Sequence, residues 1–179
     1  DIFAPDDNGM ALSKVVLFEG VEVIGDSMFR GCQLESFVIP STIKKIGDNP
    51  FEGCKMSDIS SYSSNFFVED SCLYEHNSRG LKVISYFSNG NDIDNNLSIK
   101  EETSIIGAAA FAYYDKGFIT IPKSVVELGK RSFEHSDILE IELPDGISRI
   151  SMAAFQCCRN LQWVSLPAEC EFIEESAFN

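Results

Sequence analysis

Positive charge is what this chain has least of. Fourteen Lys and Arg stand against 28 Asp and Glu, which leaves a formal net charge of −14 at pH 7. Nucleic acid and anionic lipid both demand a basic footprint, so neither is expected as a partner. Long apolar runs are missing too, and no segment has the roughly 20 apolar residues that a membrane-spanning helix needs. No basic n-region followed by an apolar h-region is present, so no secretory leader is read in these 179 residues. Histidine occurs only twice and no C-x-x-C pair occurs, which leaves a zinc site with almost no support. Neither G-x-S-x-G, H-E-x-x-H nor a phosphate-cradling glycine loop is found. The expectation is no enzyme, no metal and no cofactor. Apolar residues at 44% and charged residues at 23% nevertheless describe a folded protein with a core.

That core is built from a repeat. Residues 12–32, LSKVVLFEGVEVIGDSMFRGC, align with residues 34–54, LESFVIPSTIKKIGDNPFEGC, at an offset of 22. Ile24-Gly25 falls on Ile46-Gly47, Phe29 on Phe51, and Gly31-Cys32 on Gly53-Cys54. The same frame returns in residues 95–114, 117–136, 138–158 and 161–178. Phe29, Phe51, Phe111, Phe133, Phe155 and Phe178 share one phase, separated by 22, 60, 22, 22 and 23 residues. The interval of 60 is one repeat plus 38 residues, so an insertion lies between Phe51 and Phe111.

Each unit reads the same way. Leu34-x-x-Phe37-x-Ile39 is a short strand ended by Pro40, and Pro122, Pro144 and Pro167 recur at that place; proline has no N–H for a ladder and fixes φ at a corner. A second extended piece, Ile43-x-x-Ile46, is closed by Gly47. The remainder, such as Ala108-Ala109-Ala110-Phe111, is expected to form a helical or 3₁₀ turn that sends one aromatic inward. Twenty-two residues cannot bury such a face alone, so the units must stack as a solenoid of about seven coils.

The pattern L-x-x-[FIV]-x-[IL]-P-x-x-[IV]-x-x-[IL]-G-x-x-[AS]-F-x-x-C resembles the leucine-rich repeats of BspA-like bacterial surface proteins, over residues 12–178 apart from the insertion core. The resemblance implies a right-handed leucine-rich-repeat superhelix, rich in β structure, displayed on the cell surface or secreted. Residues 64–87 resemble the β-hairpin insert of the same subfamily, with Cys72-Leu73-Tyr74 and Leu81–Phe87 as strands and Asn77-Ser78-Arg79-Gly80 as the turn. One solenoid domain over 1–179 is expected. Residues 1–11 form a cap or lead-in, and coils lie near 12–33, 34–55, 56–114 (insertion 62–94), 115–137, 138–160 and 161–179. The chain starts without Met and stops inside a repeat, as a piece of a longer array would.

Little catalytic chemistry offers itself. His76 falls in the hairpin turn and His135 after an inward Phe, both readable as surface residues. Cys32, Cys54 and Cys158 follow the inward Phe in the same phase, either as small buried hydrophobes or, for Cys32 and Cys54 on neighbouring rungs, as a disulfide. The stretch Asn89–Asn96 is dense in oxygen ligands but lacks the EF-hand glycine and terminal glutamate; turn formation explains it equally well.

Strand phase points to a binding face instead. Residues between the apolar positions alternate outward, in two rows: Lys14, Ser36, Asp58, Asn96, Phe118, Glu140, Trp163, and Val16, Val38, Ser60, Ser98, Thr120, Glu142, Ser165. Phe118 and the only Trp stand on this open sheet with Glu140 and Glu142 between them. Exposed aromatics of this kind anchor protein recognition. The candidate site is therefore Phe118, Glu140, Glu142 and Trp163, for a protein or glycan ligand, host extracellular proteins included, in an adhesin-like module. The alternative is a structural spacer with no ligand of its own.

Overall fold

The computed structural model describes residues 12–88 and 94–179. Among them fifteen short strands follow one another: β1 (Val23–Ile24), β2 (Ser36–Ile39), β3 (Lys45–Ile46), β4 (Asp58–Ser61), β5 (Phe66–Glu69), β6 (Cys72–Asn77), β7 (Gly80–Tyr86), β8 (Asn96–Ser98), β9 (Thr103–Ile106), β10 (Phe118–Thr120), β11 (Glu127–Leu128), β12 (Glu140–Glu142), β13 (Arg149–Ile150), β14 (Trp163–Ser165) and β15 (Phe172–Ile173). They form a β-solenoid of about seven turns: six coils named here by their inward Phe, and one turn that carries the hairpin. Each Phe coil has a first side, a corner, a two-to-four-residue second side and a turn side; the first side is a strand of three or four residues except in the Phe29 coil, where it is the single bridge of Lys14 to Ser36. The corner is the same wherever proline stands at it. Ile43, Val125, Ile147 and Cys170 donate their N–H to the carbonyls of Pro40, Pro122, Pro144 and Pro167 at 3.1–3.2 Å.

The turn side departs from the expectation of helical or 3₁₀ segments, because no helix occurs among the described residues. Ser27, Asn49, Ala109, Arg131, Ala153 and Ser176 all have positive φ at one repeat phase, and Gly31, Gly53, Tyr113, His135 and Cys157 do so four residues later. Two left-handed residues per coil forbid a right-handed helix. They turn alternate amides toward the next coil instead. Phe29, Phe111, Phe133 and Phe155 donate to the carbonyls of Pro50, Ser132, Ala154 and Ala177 at 2.7–2.8 Å. The rings behind those amides stack in turn, with centroids of Phe111–Phe133, Phe133–Phe155 and Phe155–Phe178 at 5.2–5.3 Å and planes within 9°.

The insertion works as an internal wall. β7 pairs antiparallel with β6 and parallel with β9, and β5 adds a third strand outside β6 that the sequence pattern did not announce. Its alternating side chains serve two separate cores. Phe66, Leu73, Ile84 and Phe87 join Ile24, Phe29, Phe37 and Phe51, whereas Cys72, Tyr74, Leu81, Val83 and Tyr86 join the coils from Phe111 onward. A bulge makes Ile84 the extra residue opposite β6, since Leu73 faces Ser85 while Tyr74 faces Val83. That shift reverses the alternation and sends Tyr86 and Phe87 to opposite cores. Phe87 meets Phe51 edge-on at 5.6 Å, and Tyr86 meets Phe111 at 6.0 Å. The aromatic column thus crosses the 60-residue interval on two adjacent hairpin residues.

Polar ties close the junction. Asn49, at a phase where two other coils carry Ala, donates from Nδ2 to the Ala109 carbonyl at 2.5 Å and accepts from the Ser85 hydroxyl. Arg131 Nη2 reaches back to the buried Glu52 at 3.0 Å while also pairing with Glu134 at 2.5 Å. Tyr86 donates to Asp115 Oδ1 at 2.8 Å.

Candidate functional site

The first sides of the coils present the two outward rows. In β10 and β12 the burial alternates exposed, buried, exposed, with Ile119 and Ile141 inward. Phe118, Glu140, Glu142 and Trp163 all project to solvent; Phe118 is 38% and Trp163 52% exposed. Glu140 lies directly opposite Trp163 and Glu142 opposite Ser165 in the parallel β12–β14 ladder. On the other flank Phe118 pairs with Asn96 and Thr120 with Ser98 in the β8–β10 ladder. The order along the solenoid is therefore Asn96, Phe118, Glu140, Trp163, which brings a carboxylate between two aromatics. Strand spacing puts the two aromatic backbones about 10 Å apart.

An opening of about 420 Å³ lies beside this group, between the Phe133 and Phe155 coils. Thr120, Ile121 and Lys123 line it from one coil and Glu142, Pro144 and Asp145 from the next. Among the described residues no ladder joins β10 to β12, although β10 pairs with β8 and β12 with β14.

A second exposed apolar group escaped the sequence reasoning. Phe18 and Tyr62 are 76% and 72% exposed and flank Pro40 at its own repeat phase, next to exposed Val16 and Val38. The signal was available. A corner that takes proline in four coils projects whatever replaces it, and offsets of 22 put Phe18 and Tyr62 there.

The cysteines are free thiols. Cys54 Sγ donates to the Phe29 carbonyl at 2.9 Å and Cys158 Sγ to that of Phe133 at 2.9 Å, so the recurring Cys ties its turn to the previous coil. Burial pushes the thiols of Cys54 and Cys72 up to about 12. His76 lies within β6 rather than in the turn and meets Phe67 at 5.1 Å; His135 stacks on Tyr113 at 5.1 Å and 7°. In the Asn/Asp-rich stretch residues 89–93 lie outside the described residues, as do residues 1–11. Asp94 accepts from the Asn96 amide at 3.1 Å, an Asx turn.

Comparison with known proteins fits this geometry. The model of the BspA type leucine rich repeat region matches in six copies, over residues 7–97 and 84–179. A leucine rich cell surface protein from Faecalibacterium prausnitzii A2-165 is similar in structure, with TM-score 0.83 and 27% identity over 93% of this chain and 45% of its own. A leucine-rich repeat protein from Eubacterium ventriosum shares the fold at TM-score 0.63 and 18% identity, over 88% of this chain and 62% of its own. The pneumococcal vaccine antigen PcpA does so at TM-score 0.53 and 22% identity, over 84% and 32%. This chain thus spans less than half the length of the Faecalibacterium protein. No curated protein matches it. The repeat is a module of bacterial surface proteins, and no helix among the described residues is long and apolar enough to cross a membrane. With its repeat, its coil geometry and its matched segments in agreement, the chain belongs to the BspA-type leucine-rich repeat family.

Proposed function

We propose that this chain is a non-catalytic, ligand-binding segment of a secreted or surface-attached bacterial protein, acting as an adhesin does. Its ligand is a protein or glycan outside the cell, held on the open sheet by Phe118, Glu140, Glu142 and Trp163. The observation that carries this reading is the exposure of two large aromatics on either side of a carboxylate, with Asn96, Ser98, Thr120 and Ser165 at the neighbouring outward positions. Aromatic anchors supply most of the energy of such interfaces, and the −14 net charge favours the approach of a basic partner. Likeness to a leucine rich cell surface protein and to a vaccine antigen supports display outside the cell.

The spacer reading has its own support in the outward Ser36, Ser60, Ser98, Thr120 and Ser165, which offer little to a partner. The two readings separate in one experiment. Phe118→Ser and Trp163→Ser are combined, folding is checked by circular dichroism, and binding to a panel of basic extracellular proteins and glycans is measured. Binding by the parent and a loss of about tenfold or more in the double variant is expected. A parent that binds nothing on the panel is the result that favours the spacer.

A further inference from the structure

The two most exposed large apolar side chains described, Phe18 and Tyr62, share one row of the solenoid. Lys14 bridges Ser36 and Ser36 pairs with Asp58, so at the same offset Phe18, Pro40 and Tyr62 stand on successive rungs. The Tyr62 amide donates to the Ile39 carbonyl at 2.9 Å, which carries the ladder one residue past β4. Pro40 is buried between the two exposed rings, and Val16 and Val38 widen the strip by one outward position on the first two rungs. Behind the hairpin wall the same phase holds Lys100, Pro122, Pro144 and Pro167, so the aromatic strip belongs to the first stack. At its edge the Glu19 carboxylate is held beside Phe18, since it accepts from the Ser41 amide at 3.2 Å and from the Ser41 hydroxyl at 3.0 Å.

Aromatics on alternate rungs lie about 10 Å apart along the solenoid axis. A segment that rests on both must present side chains at that interval and on one face. An extended strand does not, because its same-face residues recur at about 7 Å and the residue at i+3 points away. An α-helix with its side chains is about 10–12 Å wide, more than the two rings leave open above Pro40. Polyproline II has three residues per turn at about 3.1 Å each, so residues i and i+3 recur on one face at about 9 Å. Its backbone makes no internal hydrogen bonds and stays in water, so an apolar strip can take it without stranding an amide or a carbonyl. We propose that Phe18, Pro40 and Tyr62, with Val16 and Val38, form a docking strip for a proline-rich segment of a partner protein in the polyproline II conformation. Prolines at i and i+3 rest on Phe18 and Tyr62, the turn between them crosses above Pro40, and a basic residue beside the prolines meets the fixed carboxylate of Glu19. The strip takes a ligand of its own, apart from the one proposed for Phe118 and Trp163.

The probe is a peptide amide with two prolines three residues apart and an arginine beside them, titrated into the isotope-labelled chain. One control peptide has its prolines four residues apart, and another has alanine in place of both. Saturable amide shifts are expected at Val16, Phe18, Val38 and Tyr62, with both controls weaker by about tenfold. Phe18→Ser combined with Tyr62→Ser should cost the first peptide about tenfold or more without changing the circular dichroism, since both side chains stand in solvent. Glu19→Gln should cost about threefold and flatten the salt dependence. Equal binding of either control, no saturable shift at these four amides, or shifts centred on Phe118 and Trp163 would overturn the strip. Self-association of the parent that disappears in the Phe18/Tyr62 variant would overturn it too, by giving the strip to a second copy of the chain. The two claims fail separately. Panel binding that needs Phe118 and Trp163, in a parent that ignores the proline peptide, sinks the strip alone; peptide binding at Phe18 and Tyr62, in a parent that binds nothing on the panel, sinks the adhesin reading alone.

Discussion

The stacks on either side of the hairpin wall use one repeat to different ends. Before the wall, the first-side position holds Phe37, whose ring lies 5.2 Å from Phe29 and meets Phe51 edge-on at 4.8 Å. After it, that position holds Leu97, Ile119 and Ile141, and the Phe rings stack nearly parallel from Phe111 to Phe178. Phe37 adds edge contacts to a column that still stacks, Phe29 on Phe51 at 5.6 Å and 14°; with an aliphatic there, the edge contact on Phe111 comes from Tyr114 instead, at 5.6 Å and 89°. Outside, the contrast reverses. The first stack shows Val16, Val38, Phe18 and Tyr62, and the second shows Phe118 and Trp163 among carboxylates. A 22-residue frame fixes which positions are inward and leaves the outward ones open to vary between stacks.

The largest break in this comparison should come from Phe133→Ala, which removes the middle of the parallel column. A loss of about 3–5 kcal/mol is expected in denaturant unfolding, and an unmoved midpoint would show that the Phe phase is not inward. Phe87→Ala acts on the other side of the wall. It should cost about 3 kcal/mol, with amide exchange quickening around Phe37 and Ile46 more than around Ile106; equal quickening in both stacks would mean that the wall does not divide them. Arg131→Ala should cost about 1–2 kcal/mol, since the fully buried Glu52 loses its partner across the junction and keeps only Arg30 Nε at 3.4 Å. Wild-type stability in that variant would show the tie to be idle.

The effect that is smallest near neutral pH is that of the buried thiols, and it appears only in alkali. Each stack holds a thiol raised from 9.0 to about 12, Cys54 before the wall and Cys72 behind it, both chiefly through burial. A group whose folded pKa lies above its unfolded value stabilises fully below the unfolded value and stops doing so as pH climbs through the folded one. The unfolding midpoint should therefore fall between about pH 9 and 12, and less steeply in Cys72→Ala and Cys54→Ala. All six thiols should titrate as free once the protein is denatured without reductant, whereas four would reveal a bonded pair that the structure lacks.

Much of the fold was legible because a repeat multiplies every local signal. One Pro after Ile39 says little, but four at one phase mark a corner. Six Phe at one phase mark the column, and the interval of 60 marks the insertion. The turn side was misread because Ala108–Ala110 and Ala153-Ala154 have high helix propensity, while the backbone there bonds to the next coil and adopts left-handed φ at Ala109 and Ala153. The double-faced wall was not legible either, since its phase depends on a bulge at Ile84 that no residue type announces. At the candidate site the outward rows followed from period-two alternation. The missing ladder beside them did not, because β10 and β12 keep the repeat pattern and only their hydrogen bonds are missing.

Binding by the two outward faces can be compared directly. One variant carries Phe118→Ser and Trp163→Ser, another carries Val16→Ser and Val38→Ser, and a third carries Phe18→Ser and Tyr62→Ser, each with its fold checked. Affinity for a basic extracellular protein bound by the parent is then measured for all three. The expected result is a loss of about tenfold or more in the first variant alone. Full affinity in the first and loss in either of the others would contradict it and put the recognition surface before the wall.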